Sequence, residues 1–172
     1  GAVVPWKKWP FENFLQICER LNQLNISPII IGHSSEADFS KFIDSKVNVI
    51  DLIGKTNTIH ELVALLSQCN VLLSNDSAPV HVAESVGTKC VVIKKPKSLT
   101  EFGLKSYGNI TLGIKNCKTG AGCPSFVFGN EKDLPKTCNC IQSIGVDTVE
   151  RALLRIIKED LSLIEKLNSK SN

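Results

Sequence analysis

Hydrophobic residues along this chain alternate between short continuous runs and helical stripes. The continuous runs, which predict strands, occupy residues 28–32, 47–52, 71–73, 90–93 and, more weakly, 110–112. Apolar side chains at helical spacing predict helices at residues 11–24, 37–43, 59–69 and 82–86. Strands that alternate with helices predict a parallel α/β sheet with helices on both faces. The run at 28–32 is apolar throughout, so we expect that strand to be buried on both faces.

The chain after residue 93 has a different pattern. We expect residues 1–93 to form the βα core and residues 94–146 to be largely irregular, with four cysteines among Gly, Pro, Asn and Lys. Residues 147–168 predict one long helix, with Asp147 as its cap and an apolar stripe from Val149 to Leu167. We expect part of this stripe to be exposed or buried by self-association.

Length and composition indicate one soluble domain. The chain has 172 residues, of which 42% are hydrophobic and 22% charged, as in ordinary globular proteins. No apolar run approaches the roughly 20 residues of a membrane-spanning helix, and no signal peptide is recognisable. The net charge of +3 and the dispersed lysines do not indicate nucleic-acid binding. We therefore expect a cytoplasmic protein.

The segment Val71–Ile93 is the candidate functional centre. Its apolar strand is followed by a polar turn and then by a helix that contains Pro79 in its first turn, with Asp76 or Ser77 as N-cap. A helix that starts at the end of a parallel strand presents backbone N–H groups to an anion. On pattern alone, the segment is either such an anion site or a capped strand-to-helix connection without further function.

Three motifs resemble those of glycosyltransferase family 9, the ADP-heptose:lipopolysaccharide heptosyltransferases. Asn-Asp-Ser-x-x-x-His-x-Ala at residues 75–83 is similar to the family's donor-site loop. Lys-x-Trp-Pro at residues 7–10 resembles the start of the first helix of its C-terminal domain. Asp-Leu-x-Gly-Lys-Thr at residues 51–56 is similar to a turn before the donor loop.

The resemblance implies a fold and an activity. The fold would be a Rossmann-like parallel sheet, the C-terminal half of a GT-B glycosyltransferase. The activity would be transfer of a heptose from an ADP-sugar to a lipopolysaccharide-core acceptor, with inversion and without a metal or other cofactor. The partner would be an N-terminal acceptor-binding domain. The acceptor would bring the protein to the inner face of the cytoplasmic membrane.

The resemblance also implies how the diphosphate is held. Lys7 would approach the donor phosphate, and the backbone N–H groups of Ser77 and Ala78 would bind the diphosphate. The family usually has Gly where this chain has Ala78, whose methyl group crowds the approach of a phosphate. Lys8 is an equally basic neighbour of Lys7.

The remaining implied contacts are to the nucleoside and the sugar. Glu36 would accept hydrogen bonds from the ribose, Asp76 would bind a hydroxyl of the donor sugar, and His81 would assist at the diphosphate or the sugar. Each also has a structural interpretation, because Glu36 and Asp76 lie near helix starts and His81 is compatible with a surface position.

The general base expected of such an enzyme is not recognisable in this chain. In the family it is an aspartate of the N-terminal domain, so we expect this chain to bind donor and to transfer nothing alone. One alternative is a non-catalytic nucleotide-binding module of the same fold. Another is a doubly wound domain of unrelated activity.

The seven cysteines fall into two groups. Cys18, Cys69 and Cys90 lie in apolar helix or strand patterns and are expected to be small core residues. The late cysteines have spacings other than the usual C-x2-C of zinc sites; they are Cys117, Cys123, Cys138 and Cys140. We expect free thiols there, with a structural metal site and disulfides as the alternatives.

Overall fold

The computed structural model describes residues 8–43, 47–94, 109–113 and 141–169, without the side chains of residue 161 and of residues 163–169. Its strands are β1 (Ile29–Gly32), β2 (Ile50–Ile53), β3 (Val71–Asn75), β4 (Lys89–Ile93) and β5 (Ile110–Leu112). Its α-helices are α1 (Phe11–Gln23), α2 (Ile59–Leu66), α3 (Ala78–Ser85) and α4 (Val146–Ser169). A 3₁₀ helix, Ser34–Phe42, follows β1.

The described strands form two parallel sheets. One contains β1 and β2, with Ile29 opposite Ile50. The other has the order β3–β4–β5, with β4 in the centre. Every neighbouring pair is parallel, so the predicted α/β class is confirmed, and the carboxyl ends of the strands in each sheet lie at one edge.

Strand β4 is buried on both faces. Its four residues from Cys90 to Ile93 have no exposed surface. Val91 and Ile93 pack in a core formed with α1, α4 and the 141–144 turn, whereas Cys90 and Val92 pack in a second core formed with α2 and α3. Because successive side chains of a strand alternate between faces, this short apolar run supports both layers of helices. The predicted arrangement of helices on both faces is thus confirmed.

Helices α1 and α4 are held together by charge as well as by apolar packing. A side-chain nitrogen of Arg20 lies 2.6 Å from a carboxylate oxygen of Asp147 and 2.5 Å from one of Glu150. These two hydrogen bonds raise the pKa of Arg20 above its ordinary value. Lys89 of β4 pairs with Asp160, which attaches the middle of α4 to the sheet.

Helix α1 ends as its sequence predicts. Asn25 has a φ of +58°, the left-handed conformation that Asn tolerates better than most residues. The N–H of Asn25 donates to the carbonyl of Asn22, and the N–H of Ile26 donates to that of Leu21. This pair of bonds is a Schellman motif, which turns the chain from α1 toward β1.

Two strand predictions require correction. The run at 28–32 is not buried on both faces, because Ile29 is 36% exposed and the other residues of β1 are only half-buried. The 3₁₀ helix that follows β1 buries none of its residues, and a cavity adjoins the strand. The predicted strand 47–52 is observed as Ile50–Ile53, and its first residue is 51% exposed.

Helix starts also differ from the predictions. Helix α4 begins at Val146, so Asp147 lies inside the first turn instead of capping it, and its carboxylate binds Arg20. Ile59, predicted on the apolar face of α2, is the first residue of the helix and is 57% exposed, whereas Leu66 at the other end of the helix is buried. The outer stripe of α4 and most of residues 94–140 lie outside the described side chains, so those predictions stay predictions.

Gly54 provides a test of this fold. Its φ is +71°, and a Cβ there would lie 3.2 Å from the Cα of Ser34. Gly87 has a φ of +80° and open space where a Cβ would lie, so Gly87→Ala is a matched control for backbone strain alone. We expect Gly54→Ala to lower the free energy of unfolding by about 1–2 kcal/mol from strain, plus about 1 kcal/mol for the contact. Urea titration of both variants measures the difference, and equal losses would show that the contact with Ser34 is unimportant.

Candidate functional site

A cavity of about 1080 Å³ lies between β1 and β3 and reaches the carboxyl edge of the strands. Its inner walls are apolar, with β1 on one side and β3 on the other. Polar groups gather where it reaches the loops at the strand ends; they include Lys8, His33, Glu36, Ser74, Asn75 and Ser77. Ligands of open α/β sheets bind at this edge. The cavity is therefore the candidate ligand site.

The loop between β3 and α3 leaves two backbone donors for a ligand. The N–H of Asp76 donates to the carbonyl of Ile93 at 3.0 Å, and that of Val80 donates to the carbonyl of Ser77 at 3.0 Å. Pro79 has no N–H. The N–H groups of Ser77 and Ala78 remain, and neither has a backbone acceptor among the described residues. Both lie at the positive end of the α3 dipole, so this is where an anion is best stabilised.

The side chain of Ser77 is turned away from its own helix. Ser77 occupies the N-cap position of α3 but makes no capping hydrogen bond. Its Oγ donates instead to the carbonyl of Asn75 at 3.1 Å and lies 3.2 Å from Oγ of Ser74. By contrast, Thr58 caps α2 with a complete capping box. The N-terminus of α3 therefore has no cap from the Ser77 side chain, which leaves it accessible to an external acceptor.

Glu36 lies at the mouth of the same cavity, where β1 ends. One carboxylate oxygen accepts from the backbone N–H of His33 at 3.1 Å, and the other lies 3.6 Å from Nζ of Lys8. Nδ1 of His33 accepts from the N–H of Ser35 at 3.1 Å, which completes a capping box for the 3₁₀ helix. A Cβ at Gly32 would lie 3.3 Å from the Glu36 carboxylate, so glycine leaves room for it.

The turn after β2 is attached to the end of β1. The N–H of Gly54 donates to the carbonyl of Gly32 at 2.9 Å, and Nζ of Lys55 donates to the carbonyl of Asp51 at 2.7 Å. The hydroxyl of Ser40 and the backbone N–H of Ile53 hold the pKa of Asp51 below its ordinary value. These bonds give Asp51, Gly54 and Lys55 of the Asp-Leu-x-Gly-Lys-Thr segment a structural role at the edge of the sheet beside the cavity.

The predicted site residues fall into three groups. Glu36 and Ser77 line the cavity. Asp76, Ala78 and His81 belong to the adjoining loop and first turn of α3 but are not among the described lining residues; Ala78 and His81 are exposed and Asp76 is half-buried. The remaining predicted residues lie outside the described part of the chain; they are Lys7, Cys117, Cys123, Cys138 and Cys140.

Lys8 and Asn75 are among the polar residues of the cavity that were not predicted as site residues. Lys8 was considered only as a neighbour of Lys7, yet its ammonium group lies beside Glu36. Asn75, the last residue of β3, is 7% exposed, and its Oδ1 accepts from the backbone N–H of Trp9 at 2.9 Å. A polar residue at the end of an apolar strand was the available signal for Asn75. Its partner is 66 residues away and could not be found from spacing.

The described cysteines are unsuited to nucleophilic chemistry. Burial raises the pKa of the Cys18 and Cys90 thiols to about 11, so both stay protonated at neutral pH. Cys18 and Cys90 are thus buried as predicted, whereas Cys69, also predicted as a core residue, is only half-buried. Within the described ranges, no three metal-binding side chains are grouped together, and no described helix is both long and apolar enough to cross a membrane.

Two solved glycosyltransferase structures are similar to this chain in fold. A glycosyl transferase family 9 structure from Veillonella parvula DSM 2008 matches 92% of this chain and 44% of that chain, with a TM-score of 0.71 and 23% identity. The E. coli ADP-heptose lps heptosyltransferase II structure matches 93% of this chain and 45% of that chain, with a TM-score of 0.73 and 16% identity. The class is therefore a Rossmann-like α/β fold of the kind found in GT-B glycosyltransferases.

The model of glycosyltransferase family 9 (heptosyltransferase) matches residues 1–119, so this chain belongs to that family. Lipooligosaccharide heptosyltransferase 2 of Haemophilus influenzae is 25% identical over 100 residues, covering 55% of this chain and 29% of the relative. Lipopolysaccharide core heptosyltransferase OpsX of the same organism is 32% identical over 91 residues, covering 49% and 25%. The chain thus spans less than a third of these curated relatives and less than half of the solved chains.

Proposed function

We propose that this chain is the donor-binding domain of a glycosyltransferase that moves a heptose, or a related sugar, from an ADP-sugar to a lipopolysaccharide-type acceptor. The observation that carries this proposal is the placement of Lys8, Glu36 and Ser77 on one cavity at the carboxyl edge of the strands. A cation and a helix N-terminus suit a diphosphate, and a carboxylate suits vicinal ribose hydroxyls. The family match and the names of the relatives support the choice of sugar and acceptor.

The chemistry proposed for this site is an in-line displacement with inversion and without a metal. The departing diphosphate gains negative charge as the bond to the sugar breaks. The N–H groups of Ser77 and Ala78, the α3 dipole and the ammonium groups of Lys7 and Lys8 would stabilise that charge. Stabilisation that grows as charge develops lowers the barrier, which is how such a site would contribute to catalysis.

The acceptor and the general base belong, in this proposal, to an N-terminal domain that faces the donor cavity. Asp76 supplies the carboxylate of the loop between β3 and α3, and we assign it to a hydroxyl of the donor sugar and not to the acceptor. His81 would assist at the diphosphate or the sugar. The complete enzyme would work in the cytoplasm, at the inner face of the membrane that carries its acceptor.

A non-catalytic nucleotide-binding module is the second candidate function. Ala78 favours it, because this residue is the first of α3 and its methyl group stands beside the two available N–H donors. Isothermal titration calorimetry with ADP, ADP-heptose and a UDP-sugar tests both functions. The proposed function requires ADP-heptose to bind more tightly than the UDP-sugar and than ADP. Binding of ADP without any gain from the heptose would favour the module, and no nucleotide binding would contradict both.

Asp76→Ala should weaken binding of ADP-heptose by about tenfold, or about 1.4 kcal/mol, and leave ADP affinity unchanged, because this carboxylate binds the sugar. His81→Ala should weaken ADP-heptose binding by a similar factor. Neither variant should shift the thermal midpoint by more than a few degrees. His60→Ala, an exposed histidine in α2, is the matched control. A lower midpoint with intact affinity would show that the altered residue is structural.

Ala78→Gly should tighten ADP binding severalfold, because it removes the methyl group beside the N–H donors. The same change at the exposed Ala64 of α2 controls for the general cost of glycine in a helix, which is about 1 kcal/mol. Calorimetry gives the affinities and thermal unfolding gives the stabilities. Equal or weaker ADP binding by Ala78→Gly would show that the methyl group is already accommodated.

Transfer should require a second domain. We expect no turnover when this chain alone is mixed with ADP-heptose and a truncated lipopolysaccharide acceptor, because it lacks a recognisable base for the acceptor hydroxyl. Addition of the N-terminal domain of a family member should restore turnover if the two halves associate. Release of ADP, measured with and without acceptor, follows the reaction. Turnover by the chain alone would overturn the two-domain requirement.

A further inference from the structure

Asn75 connects two parts of the candidate site that are distant in sequence. Its side-chain oxygen accepts from the backbone N–H of Trp9, and its carbonyl accepts from the hydroxyl of Ser77. Its own strand pairs it with Ile93, and the next N–H, that of Asp76, donates to the Ile93 carbonyl. Asn75 is therefore fixed by its own strand, and it binds both Trp9 and Ser77, which line the cavity.

The side chain of Trp9 is also fixed, by contacts of its indole ring. Trp9 is 2% exposed, and its Nε1–H donates to the carbonyl of Ile144 at 2.8 Å. Its ring packs edge to face against that of Phe14, with the ring centroids 4.9 Å apart. Burial of the ring holds the segment before α1 against the core. The bond to Asn75 sets the orientation of the peptide that joins Lys8 to Trp9, because that peptide carries the donating N–H.

We infer that Asn75 is a positioning residue for the diphosphate: it holds the Lys8–Trp9 peptide so that the Lys8 side chain stays on the cavity that Ser77, at the N-terminus of α3, also lines. This inference rests on the proposed function. Lys8 is one peptide from the bond, and its Nζ lies 3.6 Å from Glu36 at the cavity mouth. An ammonium group on a flexible stem stabilises a phosphate best when its backbone is already fixed, since less freedom is lost on binding.

Loss of the Asn75 side chain should weaken the binding of ADP but not that of adenosine. Asn75→Leu keeps the approximate side-chain volume and removes the acceptor of the Trp9 N–H. We expect it to weaken ADP binding about tenfold and to leave adenosine binding unchanged, because only ADP carries the phosphates. The Trp9 amide should also exchange with deuterium faster. Asn75→Asp keeps an acceptor oxygen and should restore slow exchange.

Thr88→Val is the matched control. Thr88 is the other buried polar residue of the described chain, and its hydroxyl donates to the carbonyl of Leu66 at 2.6 Å, at the opposite end of β4 from the polar mouth of the cavity. This isosteric change also removes one buried side-chain hydrogen bond. It should lower the thermal midpoint about as much as Asn75→Leu without altering ADP affinity. Asn75→Ala replaces Asn75→Leu in the titration if the leucine variant does not fold.

The outcomes separate the two proposals. Absence of ADP binding by the unaltered chain would overturn the donor site and, with it, the role of Asn75 there. If the unaltered chain binds ADP and the Asn75 variants bind it equally well, only the positioning role fails. Equal losses of ADP and adenosine affinity would likewise overturn it, because a general disturbance of the cavity would then be sufficient. Selective loss of ADP affinity with faster exchange of the Trp9 amide supports the inference.

Discussion

Burial of the Trp9 ring is the contact on which the arrangement of this domain depends. The ring of Trp9 connects the start of α1 to the 141–144 turn before α4, and the backbone N–H of Trp9 connects the start of α1 to the end of β3. Truncation of a fully buried tryptophan typically costs about 3–5 kcal/mol, whereas a single hydrogen bond contributes about 1 kcal/mol. Apolar packing thus provides most of the stabilisation that Trp9 contributes. Its two hydrogen bonds determine how the segment before α1 is oriented.

The sequence was most informative where one local rule decided the structure. The run from Cys90 to Ile93 has no polar interruption and was predicted as a strand, which the structure confirms, with both faces buried. The Thr58 cap of α2 and the left-handed Asn25 after α1 follow from the preferences of those residue types. The run at 28–32 looked the same, yet Ile29 is exposed, because burial depends on which elements cover a strand and not on the strand alone.

The candidate site was predictable in its location but only partly in its residues. Parallel strands bring their carboxyl ends together, so Glu36 after β1 and Ser77 after β3 were expected at one edge, and both line the cavity. Lys8 and Asn75 were missed because their importance comes from partners far along the chain. The roles of Glu36, Asp76, Ser77, Ala78 and His81 came from family resemblance, and they remain part of the proposed function.

The proline in the first turn of α3 limits how this helix can recognise an anion. Pro79 offers no N–H, and the N–H groups of Asp76 and Val80 already donate within the protein. Among the residues that the structure describes, the turn therefore leaves two adjacent main-chain donors without a backbone acceptor, at Ser77 and Ala78. Two N–H groups on consecutive residues suit the oxygens of a single phosphoryl group. Discrimination between a nucleoside monophosphate and a diphosphate would then depend on cationic side chains. In such a site, specificity for the length of the phosphate chain would evolve through the lysines while the helix stayed unchanged.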